Sequence, residues 1–220
     1  MAITTALDHL VYVVPDLEAG VKRFAEATGV TPVYGGAHVG KGTANFLVGL
    51  RSAGWADEPA PLTYLEILGP DPQQEVAPGT PLPLEVDRVE AARLQTWAIH
   101  PDGFDGVLER AAAQGVDVGE ARDMSRRTPE GELLEWRLTM RDRLPFEGLQ
   151  PFLIDWGTST HPATRAMPVL GLESLTLTHP DADGLRAALD VLGAAGTDVE
   201  QGTERGMRVV LDTPRGVVEI

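Results

Sequence analysis

The sequence predicts an α+β fold made of repeated β-α-β-β-β units, and two observations carry that prediction. An apolar run that closes on Pro-Asp and leads into a helical pattern ending at glycine occurs three times. Each helical pattern is then followed by three short apolar runs separated by Gly- or Pro-bearing turns, which is the punctuation of strands.

The first copy runs Leu7-Asp8-His9-Leu10-Val11-Tyr12-Val13-Val14 and closes at Pro15-Asp16. Leu17, Val21, Phe24 and Ala25 then share one helical face, with Asp16 as N-cap and Gly29 as the stop. The middle copy, Leu94-Gln95-Thr96-Trp97-Ala98-Ile99-His100, closes at Pro101-Asp102, and its helix carries Phe104, Val107, Leu108 and Ala111 as far as Gly115. The last copy, Leu172-Glu173-Ser174-Leu175-Thr176-Leu177-Thr178-His179, closes at Pro180-Asp181, and its helix carries Leu185, Ala188, Leu189 and Leu192 as far as Gly193. Aligned on their prolines, the copies place His9, Gln95 and Ser174 in one position.

The strands expected after each helix are 30–35, 44–50 and 62–68, then 116–121, 132–140 and 152–156, then 197–201, 207–211 and 217–220. Gly35-Gly36, Gly40-Lys41-Gly42, Pro129-Glu130-Gly131 and Pro214-Arg215-Gly216 are the turn signals between them. This divides the chain into a domain over 1–165, made of two units at about 5–70 and 93–157, and a compact third unit over 166–220. Residues 69–83, rich in proline, read as the linker between the first two units, and 85–93 as a short helix.

Composition removes several classes of function. With 220 residues, 43% of them hydrophobic, the chain can bury a full core. The absence of cysteine excludes disulfides, thiolate nucleophiles, iron–sulfur clusters and thiolate zinc sites. A net charge of −15 argues against a nucleic-acid partner, because the densest basic stretch, 122–143, is interleaved with acids. No apolar run approaches the roughly 18 residues of a membrane span, and residues 1–5 lack the pattern of a signal peptide, so the expected location is cytoplasmic.

Leu7-Asp8-His9-Leu10-Val11-Tyr12-Val13 at the start of the first unit and Tyr64-Leu65-Glu66-Ile67-Leu68 at its end resemble the vicinal oxygen chelate superfamily. Gln95-Thr96-Trp97-Ala98-Ile99, and Pro151-Phe152-Leu153-Ile154-Asp155-Trp156-Gly157 with His161-Pro162 behind it, resemble its glyoxalase-like domain branch, over residues 5–165. The resemblance implies a cupped mixed sheet from two units, with a metal ligand from the first and last strand of each. Carried across, those positions are His9, Glu66, Gln95 and Asp155. Such a nitrogen and oxygen set suits Zn, Ni, Co, Mn or Fe(II), and a cup that has lost its ion stays open as well. Glu66 or Asp155 would then move a proton while the ion steadies an enediolate-like oxyanion.

Strand alternation puts His9, Val11 and Val13 on one face and Tyr64, Glu66 and Leu68 on one face. Asp155 falls one residue later than a strict overlay on Glu66, which turns it to the opposite face unless a bulge intervenes. His161 is the alternative ligand, and with His9 and Glu66 it would give two histidines and one carboxylate. Trp97, Trp136 and Trp156 all fall in strands of the second unit, where most are expected in the core and Trp97 or Trp156 is a candidate wall of a substrate pocket that His161 borders. Arg126, Arg127 and Arg137 either pair with Glu130, Glu132 and Glu135 on a hairpin or reach in to clamp a substrate carboxylate. His38 and His179, beside turn signals, are expected to face solvent, and His100 to be structural.

The third unit has Ser174 in the histidine position, keeps Glu219 in its last strand and is expected to hold no metal. Its unpaired sheet edge predicts a two-fold homodimer. Three functions remain at this point: a metal-dependent isomerase, lyase or dioxygenase acting on a small oxygen-rich molecule, a metal-free member with related chemistry, and a non-catalytic binding protein using the same cup.

Overall fold

A computed structural model describes residues 3–55, 62–77, 79–128 and 131–220 of the chain, without the Arg127 side chain. Pro129 and Glu130 of the third turn signal, and with them any pairing of Glu130 or Arg127, lie outside the described residues.

The first unit comprises β1 (Leu7–Val13), α1 (Leu17–Thr28), β2 (Val33–His38), β3 (Thr43–Arg51) and β4 (Thr63–Pro70). The second comprises β5 (Arg93–Ile99), α2 (Phe104–Ala113), β6 (Glu120–Arg127), β7 (Leu133–Met140) and β8 (Phe152–Asp155). The third comprises β9 (Val169–His179), α3 (Ala182–Leu192), β10 (Asp198–Gln201), β11 (Gly206–Thr213) and β12 (Gly216–Glu219). The stretch expected as a short helix is a 3-10 turn at Pro83–Arg88, and β6 begins four residues later than the apolar pattern placed it.

Units one and two share one topology. In each, the first strand pairs parallel with the last, β1 with β4 and β5 with β8, and the other two strands extend the sheet antiparallel. β1 and β5 then pair antiparallel and join the units into one sheet. The third unit repeats the order of elements but not the pairing. Its β9 pairs parallel with β10 and antiparallel with β11, while β12 pairs with β11 instead of returning to β9. β9 also runs beside β3, Val169 to Gly171 against Gly49 to Arg51, so all twelve strands belong to one sheet.

Asp16 accepts from the Ala19 amide at 2.9 Å and starts α1, and Asp181 accepts from Gly184 at 3.0 Å and starts α3. In the middle copy the helix begins one residue later. Gly103, at φ 76°, takes the N-cap position that Asp16 and Asp181 hold elsewhere, and makes no side-chain cap.

Leu10, Leu65, Trp97 and Ile99 face the helices and form one core with Phe24 of α1, Phe104 and Val107 of α2, and Leu185, Leu189 and Leu192 of α3. The third unit packs on this side. Arg110 donates to Val191 O at 2.7 Å, Arg205 to Leu94 O at 2.7 Å and Arg215 to Glu26 O at 2.5 Å. Each of these bonds joins an arginine on one side of the junction to a backbone carbonyl on the other. The opposite face of the first two units is left for the cup. Among the described residues no helix is long and apolar enough to cross a membrane.

Candidate functional site

Three β-bulges shape the cup. In β1, Leu7 pairs with Ile99 and His9 with Ala98, so Asp8 is an extra residue. In β5, Val11 pairs with Thr96 and Tyr12 with Leu94, which makes Gln95 extra. In β2, Tyr34 pairs with Phe46 and Gly36 with Asn45, which makes Gly35 extra. A bulge shifts the alternation of side chains by one residue and bends the strand, so it re-aims whatever follows.

The cup encloses about 80 Å³ and its two walls differ. The first unit supplies a polar wall of His9, His38, Asn45, Tyr64 and Glu66. The second supplies an apolar wall of Trp136, Ile154 and Trp156, with Phe152 and Met124 against them and Leu134 packed in the same cluster. Arg126 of β6 is the second unit's charged contribution, and Lys41 borders the opening.

Asp8 is 1% exposed, yet it lies 2.6 Å from His9 Nδ1 through Oδ1, and its Oδ2 accepts from Trp156 Nε1 at 2.9 Å and faces His161 Nε2 at 3.2 Å. Burial alone would raise this carboxyl; the hydrogen bonds from His161 and His9, and their charge when protonated, outweigh it and hold Asp8 below the usual carboxylate range. An ionised carboxylate only accepts, so Nδ1 of His9 donates to Asp8, and Nε2 is the ring nitrogen left facing the cup. His161 is fixed by the same reasoning: its Nδ1 accepts from the Ala163 amide at 3.1 Å, and its Nε2 donates to Asp8.

His9 Nε2 stands 3.9 Å from Glu66 Oε2, and its ring stacks on Tyr64 with centroids 4.7 Å apart and an interplanar angle of 14°. Asn45 Nδ2 donates to Glu66 Oε1 at 2.5 Å and lies 3.4 Å from His38 Nε2. His38 Nδ1 meets the Thr43 hydroxyl at 3.0 Å. Burial lowers the His38 pKa first, Glu66 partly restores it, and Arg126 and His9 lower it further, which favours a neutral imidazole. Burial also pushes the Tyr64 phenol well above its usual value, helped by Asp8 and Glu66, so it stays protonated.

The structure brings His9, Glu66, Arg126 and Trp156 to the cup, and sets His161 behind His9 on Asp8. Gln95 and Asp155 are not among the lining residues. Gln95, the bulge residue, accepts from Arg93 at 2.7 Å and donates to Leu84 O at 3.2 Å. Asp155 accepts from Arg137 at 3.0 Å and from the Gly157 amide at 2.9 Å, and no bulge corrects its one-residue offset, so Ile154 faces the cup in its place. Arg137 is an outward residue that pairs with Asp105 and Asp155 and lies over the Phe104 ring at 4.7 Å. Trp97 is fully buried on the helix side, where its Nε1 donates to Leu149 O at 2.7 Å.

His38 corrects the expectation of a solvent-facing residue, since it lines the cup. Asp8 and Asn45 complete the site without having been singled out as ligands or walls, and Trp136, one of the three second-unit tryptophans considered, joins Trp156 in the wall. The spacing His9, Tyr64, Glu66 on adjacent parallel strands was the signal that could have pointed to the stacked ring. Because the second unit contributes neither Gln95 nor Asp155, the residues present do not fit the four-donor ion site that the resemblance implies. Among the described residues no group of three or more His, Asp or Glu is placed to hold an ion.

The family described as "Glyoxalase-like domain" matches residues 7–193. A hypothetical protein from Staphylococcus aureus has the same fold, with a TM-score of 0.66, 15% identity and 97% of each chain covered. A Streptomyces coelicolor methylmalonyl-CoA epimerase variant in complex with 2-nitronate-propionyl-CoA aligns at TM-score 0.44 and 15% identity, covering 70% of this chain and 97% of its own. A methylmalonyl-CoA epimerase from Mycobacterium tuberculosis aligns at 0.41 and 16%, covering 71% and 91%. No curated protein matches the chain. With the family match spanning most of the sequence and both units paired first strand to last around a cup, the protein belongs to the glyoxalase-like domain family of the vicinal oxygen chelate superfamily.

Proposed function

We propose that the cup binds a small oxygen-bearing molecule and moves a proton on it without a metal ion, as an isomerase or lyase would. The observation that carries this is the buried Asp8–His9 pair, which fixes Nδ1 of His9 on Asp8 and aims Nε2 at Glu66, 3.9 Å away. His9 Nε2 takes a proton from a carbon next to a carbonyl or carboxyl group, and Asp8 stabilises the imidazolium that forms. Glu66, oriented by Asn45 and 3.9 Å from His9 Nε2, stands beside the base on the same wall, close enough to relay or return the proton. The tryptophans of the second unit exclude water from the step.

The test is hydrogen–deuterium exchange in D2O, followed by NMR on hydroxyacetone, dihydroxyacetone, methylglyoxal and mandelate, with elemental analysis of the same preparation. Exchange should persist in chelator and fall by about a hundredfold or more in His9→Ala and in Glu66→Gln. Exchange that chelator abolishes would restore the ion-dependent chemistry. Binding of a panel member with no exchange at all favours the second reading, a sequestration protein, for which the apolar second wall is the supporting feature.

A further inference from the structure

We propose that the ligand of this cup is a small monocarboxylate with an apolar flank, its carboxylate held by Arg126. The inference rests on the cup being the ligand site and not on the proton transfer. Arg126 is 5% exposed and lines the cavity from β6. Its Nη1 donates to Gly35 O, the carbonyl of the β2 bulge, which aims the guanidinium. Among the described residues no carboxylate lies within ion-pairing distance of it. Glu66, the acid whose charge reaches it, is hydrogen-bonded to Asn45.

A buried guanidinium without an ion partner is expensive, and a protein that retains one in a cavity gains when an anion arrives. A guanidinium accepts a planar carboxylate through two parallel N–H bonds, which a lysine cannot reproduce. Glu66 and the ionised Asp8 beyond it already place negative charge on the first unit's wall, so one added negative charge is accommodated better than two. That disfavours a phosphate dianion. Opposite the polar wall stand Trp136, Ile154 and Trp156, which favour a hydrocarbon or aromatic group on the acid.

Calorimetric titration of the full chain with mandelate, lactate and mandelamide tests this. Mandelate should bind saturably, with lactate and the uncharged mandelamide each weaker by about tenfold or more. Arg126→Met should weaken mandelate by at least about tenfold and erase its preference over the amide, with Arg126→Lys falling between. The thermal midpoint of Arg126→Met should be unchanged or raised, because a merely structural arginine would lower it. Should Arg126→Met fail to fold, the lysine variant and the acid–amide comparison on the unmodified chain still decide. Equal binding of mandelate and mandelamide, no saturable mandelate binding at about 10 mM, or unchanged binding in the variants would overturn the proposal. Mandelate that binds without exchange leaves it standing and removes the proton-transfer reading. Exchange on neutral ketones without carboxylate binding does the reverse.

Discussion

At the scale of single residues, the partly buried His38 and the buried Asp8 make stability depend on pH in separate windows. His38 has its folded pKa depressed below its ordinary 6.5, chiefly by burial. Below 6.5 the unfolded chain therefore takes up a proton that the folded chain refuses, and stability falls as the pH drops from there. His38→Gln should flatten the denaturation midpoint between pH 7.5 and 5.5, and a slope that persists in the variant would move the effect to another histidine. Asp8 works lower on the scale. Its carboxyl is held below the usual 3.8, so its contribution is present above that value and is lost as the pH falls further. Asp8→Asn should cost on the order of 3 kcal/mol at pH 7, because His9, His161 and Trp156 would each direct an N–H at an amide that cannot accept them all. The same variant should reduce exchange nearly as far as His9→Ala, since nothing then fixes the His9 tautomer.

At the scale of elements, the site is a product of bulges, and Gly35 is the most sensitive of them. A Cβ built there would fall 2.2 Å from Asn45 Oδ1, so alanine must push Asn45 off Glu66 or displace the strand. Gly35→Ala should destabilise by about 1–3 kcal/mol and also weaken any ligand held by Arg126, whose hydrogen-bond acceptor is Gly35 O. Full retention of stability and binding would show that Asn45 and Arg126 are not positioned through this bulge. The same bulges explain which parts of the site could be read from the sequence. His9 and Glu66 follow strict alternation and were legible. Gln95 matched His9 in the proline register, but a bulge at that residue leaves it outside the cup, and no glycine or proline announces the change. Gly35-Gly36 was visible but read as the end of a strand, which placed His38 in solvent, whereas β2 continues through the bulge and carries His38 to the cup. β6 hid because two of the residues it presents to the cup are Met124 and Arg126, so it shows no apolar alternation to detect.

At the scale of the whole molecule, the third unit is where reading by repeats stops working. Its order of elements is legible as a third copy, but its pairing is not, because hydrophobic periodicity fixes where strands lie and is silent on which neighbours they choose. The homodimer was expected from an unpaired sheet edge in the third unit, and in the structure β9 of that unit pairs with β3 of the first. Leu177, Leu185, Leu192 and Leu211 are each fully buried in the core shared with Leu10 and Trp97. The edge left at β12 is four residues long and carries Glu219, which pairs with Arg208 at 3.5 Å, a short charged edge that resists strand addition. Light scattering should therefore give the mass of one chain, and a mass of two would require an interface elsewhere. Removing residues 166–220 would take α3 and the leucines of β9 and β11 away from the core they share with α1 and α2 and delete the Arg205 bonds to Leu94 O and Gln95 O, which occupy the carbonyls at the β5 bulge. The 1–165 fragment should thus lose cooperative unfolding and aggregate, because the part of the core that the third unit covered becomes an exposed apolar patch. Arg205→Met offers the milder form of the same test. It should lower the thermal midpoint while leaving the cup-lining side chains in place, so ligand affinity measured well below that midpoint should hold. A fragment that folds cooperatively and binds as the full chain does would instead make the first two units a self-sufficient domain.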